Sequence, residues 1–428
     1  MSFSAKCASH ALIQERIWSY YTMSSPTGSR VRNKRLRVGE ASGTSEPSVP
    51  EMEFHAEEVL IFQPPDKSLR NTPEHVREEE EIRTHWMPAE IPYHQAHHMT
   101  DDAVDLKPLF PNRVYGNLME AWRSVGWAEF NYELGTGVYM GFRLQDQDLP
   151  ADDRHLCAIK RVACAGPMNQ GNDVFTIEKF YKIIWSEVIA LRCLSHKHIV
   201  HMYDSYLLHG ESDEKSAAYM ILEYCDAGQL QDELDEQENL RLPEPAARYY
   251  FKQIVSAVVY MHGKGVSHGD LHSGNVMMKY NEDMASKKCM LADFGLSTIC
   301  WKQSSADAPA EAIQNPVVAG HVVNMAPEMM SRVYRYPGDR NPYLVTGWEK
   351  LAEDVWSLGN LLCLLLTGDV PDDSLEEFDY ENSPVSDAGT IAFMEKFHTD
   401  EYQRPTASQV WDHLWMQGAV QVPELQSD

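Results

Sequence analysis

The 428 residues exceed one average domain, and a 43% hydrophobic fraction is enough for a sizeable core. A formal net charge of −27, with a sequence pI near 5.0, excludes broad binding to nucleic acid or to anionic membranes. Both need a positive face, whereas neutral or basic protein segments fit this balance.

Eight cysteines are scattered without a C-x-x-C pair, which points to packing thiols in a reduced compartment rather than disulfides or zinc. The densest apolar run, Leu361 to Leu366, is far short of the ~18 residues of a membrane span. No signal-peptide core is present at the N-terminus, so the expected location is the cytoplasm or nucleus. The sequence carries no signal for oligomeric state.

Residues 1–128 read as an N-terminal extension, largely disordered or irregular. Its first fifty residues are rich in Ser, Thr, Gly and Pro. The run Arg30 to Arg37, five positive charges in eight residues, fits a nuclear-import address or a solvated basic patch equally. An acidic run (Glu78 to Glu81) and a cluster of His94, His97 and His98 follow, the latter without the Cys or second ligand pair a metal site needs. Tyr115 to Trp127 has apolar residues at helical spacing and predicts a short helix packing on the next domain.

From Phe130 the pattern changes. Glu133-Leu-Gly-Thr-Gly-Val-Tyr-Met-Gly-Phe142 predicts a glycine-bearing hairpin, with Gly135 and Gly137 where a backbone comes close to an anion. Leu156-Cys-Ala-Ile-Lys160 alternates as a strand. Trp185 to Val200 reads as a helix presenting Glu187, Leu191 and Leu194 on one face at i, i+4, i+7. Tyr219 to Leu230 is a buried strand ending in a polar hinge. Glu244 to His262, after Pro243, is an amphipathic helix closed by Gly263 and Gly265.

That helix delivers Val266-Ser-His-Gly-Asp-Leu-His-Ser-Gly-Asn275, and after a short strand comes Asp293-Phe-Gly295. The pair of stretches supplies an Asp, an Asn five residues later and a second Asp. Phosphoryl transfer needs those three groups, one carboxylate to orient the acceptor hydroxyl and an amide and a carboxylate to hold Mg²⁺. Met325-Ala-Pro-Glu328, Asp354-Val-Trp-Ser-Leu-Gly359 at the start of an apolar helix, and Arg404-Pro-Thr-Ala407 before a last helix complete the series.

In this order and spacing the chain resembles the protein kinase family over about residues 129 to 417. The resemblance implies an α+β, bilobal fold: a small antiparallel N-lobe sheet with one key helix (129–224) and a larger, mostly helical C-lobe (225–417), followed by a tail (418–428). It implies ATP and Mg²⁺ as cofactors and a protein substrate. Asp270 is then the base or orienter, Asn275 and Asp293 the metal ligands, and Lys160 the phosphate-holding amine paired with Glu187. Leu134, Gly135, Thr136, Gly137, Val138, Tyr139, Met140, Gly141 and Phe142 become the loop over the phosphates. Ala158, Glu223, Cys225 and Met277 surround adenine, with Leu222 at the back of the pocket and Gln229 near the ribose. His268 packs under Phe294, Asp354 ties down the catalytic loop, and Glu328 meets Arg404.

Four departures stand out. Met140 replaces the third loop glycine, with Gly141 one place late, and Phe142 takes the place of a smaller residue over adenine. Gly269 replaces the arginine of H-R-D, which in the family pairs with an activation-loop phosphate. His272 stands where Ser/Thr kinases carry a lysine, and His321 where they carry the threonine that contacts it. A histidine there is charged only below about 6.5, so activity is expected to rise as pH falls from about 8 to 6.5. The stretch Met329 to Glu353 looks like an inserted loop.

The leading reading is an active, Ser/Thr-directed protein kinase. Two others stand beside it: a pseudokinase acting as a nucleotide-binding scaffold, and a small-molecule kinase, which shares the H-G-D-L-H-x-G-N pattern. Without the H-R-D arginine, alanine at both Ser304 and Ser305 is expected to leave turnover nearly unchanged; a loss of about tenfold in kcat would contradict this.

Overall fold

Leu156–Ala163 alternates buried Cys157 and Ile159 with more open Ala158 and Lys160, the period of a strand covered differently on its two faces. A computed structural model describes residues 110, 113–135, 137–150, 153–163, 177–210, 216–237, 239–281, 285–299, 312–313, 324–330, 345–370 and 384–423. All lie in the unit Pro64–Asp428. Six strands form the small lobe: β1 (Val114–Tyr115), β2 (Trp127–Gly135), β3 (Val138–Arg143), β4 (Leu156–Ala163), β5 (Met202–Leu208) and β6 (Ala217–Glu223). Their order is β1-β5-β6-β4-β3-β2, antiparallel except where β1 runs parallel to β5.

Register fixes which residues share a face. Val138 lies across from Lys160, Met140 from Ala158, and Ala158 from Leu222, so these line the side that carries Lys160. Cys157, Ile159 and Ile221 point the other way, into a layer with Tyr115, Ala121, Trp127, Tyr203, Tyr206 and Tyr219. Ring stacking organises that layer, with Tyr206 on Tyr219 at 4.8 Å and Trp127 on Tyr203 at 5.1 Å between centroids.

The predicted short helix is α1 (Leu118–Val125). Asn117 caps it by accepting from the Glu120 N–H at 2.9 Å, and Gly126 ends it at φ 79°. With β1 it extends the folded domain upstream of residue 129. This corrects the expectation of an irregular extension for this stretch and moves the domain start, because β2 already begins at Trp127. The basic and acidic runs and the histidine cluster fall outside the described residues.

The helix α2 (Ile177–Cys193) buries Glu187 and Leu191, as their spacing predicts, but it starts earlier than Trp185 and stops at Cys193 rather than Val200, so buried Leu194 lies just past its end. The larger lobe contains α3 (Leu230–Asp235), α4 (Glu244–Gly263), α5 (Gly347–Thr367), α6 (Ala388–Glu395) and α7 (Ala407–Trp411). Its short strands pair antiparallel: β7 (Val266–Ser267) with β10 (Thr298–Ile299), β8 (Val276–Tyr280) with β9 (Lys287–Leu291), and β11 (Ala312–Ile313) with β12 (Val345–Thr346). Residues of α4 such as Phe251, Ile254 and Val258 form the core with Leu358, Leu361 and Leu362 of α5. Among the described residues no helix is long and apolar enough to cross a membrane.

Two boundaries differ from expectation. Helix α5 starts at Gly347, so Asp354 lies two turns into it and the inserted stretch ends before residue 347 rather than at 353. At the other end, Arg248 Nη1 donates to the Ala419 carbonyl at 2.6 Å and the Gln421 N–H to that of Pro245 at 3.0 Å. The first tail residues are therefore bound to α4, and the domain does not stop at 417.

Glu328 and Arg404 meet as a bidentate pair at 2.8 and 3.1 Å, with the arginine side chain fully enclosed. Arg404 also donates to the Ala352 and Thr399 carbonyls. Glu328→Ala is expected to cost about 3–5 kcal/mol in urea unfolding, with most of it recovered by Glu328→Leu/Arg404→Met. A cost below about 1 kcal/mol for the single change would show that the pair does not hold this lobe together.

Candidate active site

Lys160 is aimed by its strand face toward α2, where Glu187 faces back. Its Nζ donates to both Glu187 carboxylate oxygens, at 2.7 and 2.8 Å, and to Asp293 Oδ1 at 2.8 Å. Burial works against the ammonium charge, but Asp293 and Glu187 outweigh it and the Lys160 pKa is raised. Burial also pushes the Asp293 carboxyl up, yet Lys160 and the Gly295 N–H overcome this and hold it at about 2. For Glu187 burial prevails over Lys160 and the carboxyl is raised.

The β8–β9 ladder brings the two expected metal ligands together. Val276 pairs with Leu291, so Asn275 and Asp293 flank the same end, joined by the Ala292 N–H donating to the Asn275 carbonyl at 2.9 Å. Asn275 Nδ2 donates to the Asp270 carbonyl at 2.9 Å and to Asp270 Oδ2 at 3.3 Å. That leaves the amide oxygen for a metal; with the Asp293 carboxylate it makes a hard oxygen pair of the kind Mg²⁺ takes. Asp293 has φ 60°, a conformation a non-glycine residue keeps only where its surroundings impose it.

The catalytic loop hangs from Asp354. Its Oδ2 accepts from the His268 N–H and its Oδ1 from the Gly269 N–H, each at 2.8 Å, while His262 Nε2 lies 2.8 Å from Oδ2. His268 packs on Phe294 with centroids 4.7 Å apart and donates from Nε2 to the Ala292 carbonyl at 3.0 Å, the packing role expected of it. Burial lowers its pKa, against the nearby carboxylates.

His272 lies beside the base, Nε2 3.7 Å from Asp270 Oδ2, while its Nδ1 accepts from the Gly274 N–H at 3.1 Å. The ring thus caps its own turn beside Asp270. His321, Ser304 and Ser305 lie outside the described residues.

The nucleotide-facing set is placed unevenly. Gly137, at φ 71°, donates its N–H to Glu133 Oε1 at 3.1 Å, a carboxylate oxygen of its own hairpin. A Cβ there would come within 2.9 Å of the Arg161 carbonyl. Gly135 pairs with Val138 at the hairpin end, Tyr139 lies across from Glu133, and Leu134 is exposed. Thr136 is outside the described residues. The irregular spacing falls on β2, between Glu129 and Gly135, rather than on β3.

Gly141 does not serve the phosphates. Its missing side chain makes room between strands, because a Cβ would meet Ile159 Cδ1 at 2.6 Å and the Ala128 carbonyl at 2.8 Å. Phe142 is fully buried against Phe130, centroids 4.8 Å apart, with the Arg154 guanidinium 4.8 Å over its ring. The side-chain position of Gly141 thus faces the neighbouring strands, whereas Phe142, though buried, shares the face of β3 that carries Val138 and Met140. Met140 is likewise buried, though on the Lys160 face.

At the hinge, Cys225 packs with Val200 and Met290 beside Leu222 and Met277, which forms a bridge with Gln229. The Glu223 N–H donates to the His201 carbonyl at 2.7 Å. The Glu223 side chain, buried, accepts from Lys279 Nζ at 3.0 Å and from the His201 N–H at 3.2 Å. Lys279 and His262 were not anticipated, since nothing in a strand or helix pattern marks which long side chain reaches across a hinge.

The sequence model described as "Protein kinase domain" matches residues 147–416. The chain belongs to the protein kinase family. The match starts after the β2–β3 hairpin, whose loop departs from the family at Met140. The "Cell cycle serine/threonine-protein kinase CDC5/MSD2" of Saccharomyces cerevisiae is 26% identical over 253 residues, covering 56% of this chain and 31% of that protein. The mouse "Serine/threonine-protein kinase DCLK3" is 28% identical over 253 residues, covering 55% and 28% respectively. This chain thus spans about a third of the length of these curated relatives. A crystal structure of the Rad53 kinase domain and SCD2 aligns with a TM-score of 0.45 at 18% identity, over 69% of this chain and 91% of that one.

A carboxyl held below its ordinary range stabilises the fold above its unfolded pKa, near 3.9, and loses that contribution as pH falls toward 2. The raised Lys160 loses its own contribution only at alkaline pH, above about 10.4. The unfolding free-energy difference between the natural chain and Asp293→Asn is therefore expected to be level from about pH 5 to 8 and to shrink below about pH 4. A difference that halves between pH 5 and 8 would place the Asp293 contact elsewhere.

Proposed function

We propose that the chain transfers the γ-phosphoryl group of Mg-ATP to a serine or threonine hydroxyl of a protein. The observation that carries this reading is Lys160 bound at once to Glu187 and Asp293, next to an Asn275 amide bonded to Asp270. Bound Mg²⁺ would offset the charge of the phosphates, held by Asn275 and Asp293. Asp270 orients the acceptor hydroxyl and takes its proton, and Lys160 lies where it reaches the α- and β-phosphates. The β2–β3 loop around Gly135 and Gly137 and the hinge at Glu223 and Cys225 are the segments that place the nucleotide. Positioning of this kind needs no covalent work by the protein.

A protein substrate is supported over a small-molecule one by the Glu328–Arg404 pair and by Asp354 under the catalytic loop, features in which the chain resembles protein kinases. The pseudokinase reading draws on Met140, Gly269 and His272, but the five groups of the transfer site are all present, Lys160 bonded to Glu187 and Asp293 and Asn275 to Asp270. The free thiols of Cys157, Cys193, Cys225, Cys289 and Cys363 and the basic run Arg30 to Arg37 support a place in the cytoplasm or nucleus.

Purified protein with Mg²⁺ and labelled ATP is offered generic basic proteins and, separately, amino-alcohols. Label is expected in protein serine and threonine, with kcat lowered about 10²–10⁴-fold by Asp270→Asn and transfer abolished by Asp293→Asn. Label only in amino-alcohols would make the chain a small-molecule kinase. Nucleotide binding with no transfer to either would make it a scaffold.

A further inference from the structure

Lys350 is fully buried and has no part in the reaction as proposed above. It pairs with Glu353, three residues on along α5, and neither side chain reaches solvent to any extent. A buried lysine is costly unless something requires its charge there. Across from it, a Cβ built on Gly269 would stand 3.6 Å from Lys350 Nζ and only 2.5 Å from the Leu296 carbonyl. Gly269 has φ 78°, which other residues rarely adopt. The residue before the proposed base therefore has no side chain, and an ammonium from another helix sits against the gap.

The neighbouring charges give this ammonium a task. Asp354, next to Glu353, holds the catalytic loop through the His268 and Gly269 N–H groups. Glu353 is pushed up by burial, with Lys350 opposing and Asp354 and Glu328 adding to the push. Arg404, the other buried cation here, is bonded to Glu328 and to two carbonyls.

Resting on the kinase reading for its catalytic part, we propose that Lys350 is a positioning residue for Asp270: seated against Gly269, its ammonium fixes the catalytic loop on α5. Without it, the charge that faces Gly269 from α5 is gone, in the single and the double variant alike. The loop is then held on α5 by the two amide bonds to Asp354 alone. A glycine at the pivot offers little resistance to the swing, and displacement of a reacting group by about 1 Å costs about a hundredfold in rate.

The test compares the natural chain with Lys350→Met and with Lys350→Met/Glu353→Leu, full length throughout. The double change removes the buried pair as a whole, an exchange folds tolerate well. The double variant is expected to melt like the natural chain, keep its KM for ATP within about twofold and lose about a hundredfold in kcat toward basic protein. Amide hydrogen exchange across residues 266–271 is expected to rise about tenfold or more. Unchanged exchange in the double variant, or turnover at the natural rate, would overturn the proposal. Should the natural chain itself transfer no phosphate, the kinase reading fails, and the exchange comparison still decides whether Lys350 holds the loop.

Discussion

Three charges from three distant parts of the chain share one contact: an ammonium on β4, a carboxylate on α2 and a carboxylate in the Asp-Phe-Gly turn. Lys160 lies 27 residues from Glu187 and 133 from Asp293, so no local tendency brings them together. Glu187 is buried and would be costly there alone, whereas Lys160 and Asp293 keep part of their side chains open to solvent. The cluster fixes the distance from sheet to helix and from sheet to the Asp-Phe-Gly turn after β9. Everything that handles phosphate is then measured from that point.

A second fixed point, Asp354, stands on the opposite side of the catalytic loop and acts by accepting backbone hydrogen bonds. Between the two, His268 and Phe294 fill the interior with rings, so that the loop and the Asp-Phe-Gly turn move as one body. The geometry of Asp270 is therefore inherited from groups that never touch a substrate. The His272 ring, capping its own turn through Nδ1, belongs to this scaffolding as much as to the chemistry.

Legibility in the sequence followed the length scale of the constraint. Lys160, Glu187, Asn275 and Asp293 were readable because each is fixed by spacing within a short motif, and the contacts among them follow from the order of the motifs. The buried face of α2 was readable from its 3.6-residue period. Gly141 was misread because the same letter serves either a ligand or a neighbouring strand, and only register decides which. Phe142 packs on Phe130 with Arg154 over its ring. The start of α5 was hidden since Gly347 and Trp348 carry no capping signature, and Lys350 was hidden with it. A lysine inside a helix reads as surface until a glycine from elsewhere is laid against it.

The parallel pairing of β1 on β5 means that the chain fills the outer edge of its own sheet with residues that precede the family match. A partner seeking to add a strand on that side finds the position taken. Severing the chain just ahead of residue 129 or 147 would strip away Ala121 and Tyr115 and open a stacked aromatic floor to water. A fragment cut to the limits of the family match would thus lose the cover of that layer.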